Sequence, residues 1–468
     1  MNYFSEIEKH KNNIALITEK EDFSYNSIIK YANKFFKGVK ERSLVLIKCQ
    51  NSFEVFVAYI AFIKLNCPVM LVDGNLSDEN YLKVINAYKP DYIFHIKKKN
   101  KVKLNYNLIN TFGAYEFLKN TEKNNLKINA HLSLLIPTSG STGSPKFVRQ
   151  SYENIFSSID QVSQSLNIQL QDRAITTMPL NYTYGLSIIN SHIYNGASIV
   201  INKYSFIDKN FWNILKDKQA NNFGGVPFMY EMLDRIGFQK KITKNLKYIT
   251  QAGGKLSEKL SKKFTQICKD NNLKFITMYG QTEATSRMSF LDWEFSETKI
   301  GSIGKAVKGG KFSLIDKNGS YINISNSVGE LVYEGKNVSM GYSDGYLDLN
   351  KPDDNKGKIF TGDLAEKDNE GFYYIRGRLK RFSKIFGVRI NLDEIEVLLK
   401  KQGIECICTG DDKVLFFYLV NIFDKEETTN KISKNIGMHK SAIHLKKIKI
   451  IPRNSSGKIL YSELDKYV

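Results

Sequence analysis

The chain has 468 residues, 42% of them apolar, and a formal net charge of +20. That length exceeds one ordinary core, so two or more domains are expected. No segment approaches the roughly 18 apolar residues of a spanning helix, and residues 1–10 lack a secretory-signal pattern, so the cytoplasm is the expected compartment.

In chain order, apolar runs of strand length alternate with helical periodicity through the first 290 or so residues. Leu44 to Ile47 reads as a strand, Phe53 to Leu65 as a helix with a broad apolar face, and Val69 to Val72 as a strand. A helix from Glu79 to Ala87 and a strand from Tyr92 to Ile96 follow. Residues 97–131 are polar and rich in Lys and Asn, the pattern of a variable excursion. The alternation resumes with a strand at Leu132 to Ile136, a helix after Glu153 and a strand at Ala174 to Thr177. Such alternation predicts an α/β fold with layered sheets, parallel strands and covering helices. Beyond about residue 300, short strands and glycine turns predict a β subdomain. Ile385 to Ile390 reads as a hairpin, and Leu392 to Leu399 as a helix.

Five scattered cysteines (Cys49, Cys67, Cys268, Cys406, Cys408) give no disulfide framework, and neither Cys406 with Cys408 nor the dispersed histidines has zinc-ligand spacing. Lysine is spread along the whole chain, without the aromatic-interleaved basic motif of an RNA-binding module. A solvated basic face is therefore expected, with no nucleic-acid site.

The chemistry concentrates in a few segments. Thr138-Ser139-Gly140-Ser141-Thr142-Gly143-Ser144-Pro145-Lys146 follows a buried-strand pattern. Glycines let backbone N–H groups approach a polyphosphate, hydroxyls donate, and the lysine supplies charge. The spacing is neither that of a Walker loop nor that of the dinucleotide fingerprint, and alone it would more often be a surface turn. It is followed in order by Tyr279-Gly280-Gln281-Thr282-Glu283, Thr361-Gly362-Asp363, Gly377-Arg378-Leu379-Lys380 and Pro452-Arg453-Asn454-Ser455-Ser456-Gly457-Lys458.

This series, with Asn51, Glu54 and Pro68 to Asp73 upstream, resembles the adenylate-forming (AMP-binding) superfamily over the whole chain. That superfamily comprises acyl-CoA synthetases, carrier-loading adenylation enzymes and beetle luciferases. The resemblance implies a large N-terminal domain of layered βα sheets plus a β subdomain over residues 1–377, and a small mobile α+β C-terminal domain over 378–468 that turns about Lys380. It implies attack of a carboxylate on the α-phosphate of ATP, giving an acyl-adenylate and then a thioester. Because two anions must meet, the demand is for positioning and cationic charge.

Residue by residue, the resemblance gives Thr138, Ser139, Gly140, Ser141, Thr142 and Gly143 to the phosphates, with Lys146 positioning pyrophosphate. Tyr279, Gly280, Gln281, Gly253 and Gly254 border the nucleotide. Thr282 bonds the α-phosphate and Glu283 holds Mg2+. Read without the resemblance, Thr282 and Glu283 would be the start of a helix. Asp363 accepts the ribose hydroxyls, which needs two acceptor oxygens, and Arg378 reaches ribose or phosphate. Lys458 bridges carboxylate and α-phosphate. Lys384 and Gly387 face the thiol channel after rotation, and a basic surface suits attraction of CoA or an acidic carrier protein. The acid pocket falls to Tyr182, Tyr184, Gly185, Val226 and Pro227.

Four departures stand out: Phe147 where the family usually has glycine, Lys255 in place of proline, Tyr182 in place of histidine, and Gly185 in place of the aspartate that pairs with an α-amino group. The last disfavours an α-amino acid substrate. The expectation is a ligase using ATP, Mg2+ and CoA, with the phosphopantetheine of a separate carrier protein as alternative acceptor. A luciferase-like oxidation or a non-enzymatic nucleotide or nucleic-acid binder would be the more distant readings, and a degenerate binder should have lost Lys458, Glu283 or Asp363.

Overall fold

The computed structural model describes all residues except 1–6, 98–103, 123–126, 139–145, 380, 386–387, 411–413, 421–423 and 455–456. The chain divides into two compact units, residues 1–311 with 333–359, and residues 312–332 with 360–468. No described helix is long and apolar enough to cross a membrane.

The first unit holds two large sheets. One has nine strands, of which six neighbours run parallel: Lys274–Tyr279, Tyr248–Gln251, Asn222–Gly225, Arg173–Ile175, Ser198–Val200 and Ile14–Ile17. The other has eight strands built on the parallel set Leu132–Pro137, Val69–Asp73, Val45–Cys49 and Tyr92–Ile96. The helices Phe53–Lys64 and Thr183–Tyr194 are buried over almost their entire length; the first is apolar on nearly every face, as such burial demands, whereas the second buries Ser187, Asn190, Ser191 and His192 as well. They lie in one core that draws residues from both sheets, among them Leu16, Ile199, Ile47 and Leu71.

Three strands go beyond the sequence expectation. Residues 97–131 carry a hairpin, Tyr106–Phe112 against Tyr115–Asn120, added antiparallel beside Tyr92–Ile96. Its exposed Asn and Lys residues hide the alternation, while Tyr115 stacks on Phe94 at 4.8 Å and Phe117 is buried. Phe147–Ser151 is a strand antiparallel to Leu132–Pro137, and only then does the helix Tyr152–Leu166 begin, on a Ser151–Asn154 capping box. Here the buried strand residues include Arg149 and Gln150, which no hydrophobic pattern reveals.

Most of the four-stranded sheet of Lys311–Ile315, Val328–Glu334, Lys358–Lys367 and Tyr373–Arg378 falls in the second unit. That unit also contains the hairpin Phe382–Ile385 with Val388–Asn391, and a three-stranded sheet of Cys406–Gly410, Leu415–Leu419 and Ile443–Lys447. The helix Leu392–Lys401 packs Ile395 and Leu399 with Cys408, Phe417 and Leu445 in a separate core. The fold is thus α/β with a β-rich portion and a small α+β C-terminal part.

Candidate active site

The candidate segments of the first unit sit at the carboxyl ends of its parallel strands. Leu132–Pro137 leads to Thr138, Tyr248–Gln251 to Gly253, Lys274–Tyr279 to Gly280, and Asn222–Gly225 to Val226. Open α/β sheets bind ligands at this edge, where loops of neighbouring strands converge.

Thr282 to Ala284 form a single turn of 3-10 helix, so the helix-start reading of these residues is locally correct and stops after one turn. The turn is pinned from several directions. Gln150 Nε2 donates to the Thr282 carbonyl at 3.0 Å, and the Thr183 and Thr282 hydroxyls lie 3.4 Å apart. Ser339 N donates to the Glu283 carbonyl at 2.9 Å. Asn337, fully buried, donates through Nδ2 to the carbonyls of Ala284 and Arg287, both at 2.9 Å. Its Oδ1 accepts from the Tyr333 hydroxyl at 2.8 Å. Ser158 donates to the Thr285 carbonyl at 2.7 Å, beside the positive φ of Thr285 and Ser286. Gly280 is required by this folding-back: a Cβ there would lie 1.6 Å from the Ser286 carbonyl oxygen.

Glu283 presents its carboxylate to Tyr342, whose hydroxyl donates to Oε1 at 2.7 Å. Lys146 Nζ stands 4.2 Å from the Tyr342 ring centroid. One tyrosine therefore links the phosphate-loop lysine to the expected metal carboxylate, and burial with the Glu283 charge pushes its hydroxyl pKa up. Tyr342 was not foreseen from the sequence. It is held by Arg149, whose guanidinium donates to the carbonyls of Tyr342, Met340, Lys351 and Pro352 and pairs with Asp354 at 2.6 Å. Phe147, the departure from glycine, is buried at the start of the same strand, its ring 5.3 Å from that of Tyr88.

No group of three or more His, Cys, Asp or Glu able to hold a metal exists among the described residues. A lone carboxylate suits Mg2+, which takes one or two carboxylates and fills its shell with water and phosphate oxygens. Among the described residues only Oε1 of Glu283 is bonded, so Oε2 fits that role.

The pocket residues also come together. Gly253 has φ +82°, and a Cβ on it would meet the Tyr182 hydroxyl at 2.5 Å and Val226 Cγ1 at 3.1 Å. A Cβ on Gly254 would meet Pro227 at 3.1 Å. Tyr184 donates to the Thr250 carbonyl at 2.8 Å and carries the Arg287 guanidinium 4.3 Å over its ring. Behind it, His192 Nδ1 lies 2.8 Å from the Ile188 carbonyl, and Nε2 lies 3.2 Å from Asn222 Nδ2. Burial depresses the His192 pKa to about 4.

In the second unit, Asp363 is buried and pairs through Oδ1 with Arg378 Nε at 3.0 Å, across antiparallel strands. Thr361 fixes the approach by accepting from Asp363 N at 3.1 Å and donating to the Leu331 carbonyl. Lys458 belongs to a tight turn in which its N–H donates to Asn454 Oδ1 at 2.9 Å and its carbonyl accepts from Asn454 N. Arg381, missed from the sequence, is anchored to Asp393 at 2.8 Å and Glu396 at 2.5 Å and stacks on Tyr461. Ser139, Gly140, Ser141, Thr142, Gly143, Lys380 and Gly387 lie outside the described residues, as does the Lys384 side chain.

Comparison with known proteins gives this geometry a family. The profile of the family described as AMP-binding enzyme matches residues 4–343. The 2-succinylbenzoate–CoA ligase of Bacillus subtilis is 24% identical over 470 residues, covering 96% of this chain and 94% of its own. Among solved structures, the o-succinylbenzoate CoA synthetase MenE of Bacillus subtilis with the acyl-adenylate intermediate OSB-AMP matches with TM-score 0.77 at 22% identity, over 99% of this chain and 97% of that one. The same synthetase with ATP and magnesium matches with TM-score 0.76 at 21% identity, over 99% of each chain. The chain belongs to the AMP-binding enzyme family, the adenylate-forming ligases that its motifs resemble.

Proposed function

We propose that this enzyme is an ATP-dependent acid–CoA ligase of the acyl-CoA synthetase type. The substrate carboxylate attacks the α-phosphate of ATP, pyrophosphate leaves, and the CoA thiol then displaces AMP to give the thioester. The observation that carries the reading is the pinned Thr282–Glu283 turn, with Tyr342 joining Glu283 to Lys146.

In this reading Thr282 bonds the α-phosphate, and its carbonyl, held by Gln150, fixes where the hydroxyl points. Glu283 would hold Mg2+, which supplies charge neutralisation at the phosphates. Lys146 and loop residues 138–143 receive the departing pyrophosphate. Tyr279, Gly280, Gln281, Gly253 and Gly254 border the adenosine, and Asp363 with Arg378 takes the ribose. Lys458 supplies an ammonium between carboxylate and α-phosphate, a flexible point charge suited to transient delivery. Residues 378–468 move as one body about Lys380 between the half-reactions, with Lys384 and Gly387 bordering the thiol path.

The acid lies against Tyr182, Tyr184, Gly185, Val226 and Pro227. An aspartate at Gly185 is sterically unwelcome, because a Cβ there would meet the Pro179 carbonyl at 2.7 Å. With no counter-charge for an α-ammonium at that position, the substrate is a carboxylic acid without an α-amino group. 2-Succinylbenzoate, the acid in the relatives' names, is the first to test.

ATP–pyrophosphate exchange with Mg2+ and a panel of aromatic, aliphatic, hydroxy and amino acids tests the adenylation step. Exchange with a non-amino acid, abolished by Lys458→Ala, is expected. Exchange that persists unchanged in Lys458→Ala would remove that lysine from the chemistry, and none with any acid would overturn the ligase reading.

A further inference from the structure

Arg287 is 1% exposed, among the largest fully buried side chains of the protein. Its Nε and Nη2 have no hydrogen-bond partner among the described residues. Nη1 is directed at Met278 Sδ, a weak acceptor. Among the described residues, the titratable groups that act on it are Tyr184, Tyr182 and Tyr248, with His192 beside them, and the carboxylate of Asp172 acts on His192 and Tyr248 and not on Arg287. Stacking on Tyr184 recovers only part of what desolvating a guanidinium costs. Burial accordingly pushes the Arg287 pKa down from its ordinary value.

The two unpaired nitrogens are not a random pair. Nε and Nη2 form one edge of the guanidinium, the fork that accepts a carboxylate side-on through two parallel hydrogen bonds. That edge belongs to a residue stacked on Tyr184 of the acid pocket. Arg287 is also four residues beyond Glu283, and its carbonyl is tied by Asn337 to the same pinned turn. The backbone of Arg287 is thus fixed relative to the turn that carries Thr282 and Glu283.

Resting on the acid–ligase reading above, we propose that Arg287 receives a second carboxylate of the substrate, which makes this enzyme selective for dicarboxylic acids. The anion that neutralises the guanidinium is carried in by the substrate, and an acid without it leaves the charge buried and unpaired.

The test is steady-state ATP–pyrophosphate exchange with acid pairs that differ by one carboxylate: 2-succinylbenzoate against 4-oxo-4-phenylbutanoate, and adipate against hexanoate. The diacid of at least one pair should be preferred roughly 100-fold in kcat/KM, the discrimination of a charge-assisted bidentate bond. Arg287→Gln should erase that preference by raising KM for the diacid while leaving the monoacid within a few-fold, and Arg287→Lys should retain part of it. Equal or better use of the monoacids by the wild-type enzyme would overturn this inference and leave the ligase reading standing. So would an Arg287→Gln or Arg287→Lys enzyme that loses both members of a pair equally. No exchange with any acid would overturn both readings together. The wild-type comparison needs no variant to fold.

Discussion

Gly280→Ala places the smallest possible side chain where the structure has no room. The added Cβ would lie 1.6 Å from the Ser286 carbonyl oxygen, 2.6 Å from its carbon and 2.8 Å from the Arg287 Cα. All three are backbone, so no rotamer change relieves the overlap, and the 285–287 segment must retreat by about 1.5 Å to restore ordinary contact. The retreat strains Ser286 N to the Gln281 carbonyl at 3.2 Å, Met288 N to the Tyr279 carbonyl at 2.8 Å, and Asn337 Nδ2 to the Arg287 carbonyl at 2.9 Å. At about 1 kcal/mol net each, with a further penalty for groups left buried and unpaired, the loss is about 3–5 kcal/mol. Reduced freedom of the unfolded chain returns at most about 1 kcal/mol. The melting temperature should fall by several degrees. Because the same segment carries Thr282, Glu283 and Arg287, KM for MgATP should rise by about tenfold or more. Differential scanning calorimetry and exchange kinetics on one preparation measure both. A variant with wild-type melting and wild-type KM would refute the claim that this turn is closed by contact at Gly280.

Asn337→Ala removes two donated bonds and two accepted ones, the longer from Gln161, at a fully buried site, so chemical denaturation should show a loss of about 2–4 kcal/mol. Tyr342→Phe deletes only the hydroxyl that holds Glu283. The half-saturating Mg2+ concentration should shift by about threefold or more while the fold persists, about the worth of one bond to a charged group. His192 titrates near 4 when folded against about 6.5 when unfolded. Below 6.5 the unfolded chain binds the extra proton, so this stability is complete above that pH and is lost as pH falls toward 4. The contribution is about 3 kcal/mol, and His192→Gln should flatten that part of a melting-temperature profile taken between pH 7 and 4.

Much of the fold was legible because burial and period coincide. Val69 to Val72 is a continuous apolar run and Tyr92 to Ile96 an apolar run broken only by His95, and the structure places them on either side of Val45–Cys49. Where polar residues are buried the pattern fails. Phe147–Ser151 is an antiparallel strand, second from the edge of its sheet, that buries Arg149 and Gln150, and nothing in its alternation says so. The strand Tyr106–Phe112 fails for the opposite reason, because its residues are largely exposed. In the candidate site, Thr282 and Glu283 were singled out by the family resemblance of their motif, whereas their supports Gln150, Asn337, Ser339 and Tyr342 come from distant parts of the chain. Those supports are set by tertiary geometry, for which a single sequence carries no periodic signal. Arg287 is the instructive case: in the sequence it is one Lys or Arg among 68, and only burial with Nε and Nη2 unpaired among the described residues distinguishes it.

One enzyme that couples ATP cleavage to thioester formation on an acid must release AMP and pyrophosphate as it makes acyl-CoA. The most direct measurement incubates the purified protein with ATP, Mg2+, CoA and 2-succinylbenzoate or another exchange-active acid, and quantifies nucleotides, pyrophosphate and acyl-CoA by chromatography. AMP, pyrophosphate and acyl-CoA appearing in equal amounts, with no AMP when the acid is omitted, is the predicted result. ADP in place of AMP, or AMP formed without the acid and without thioester, would contradict it.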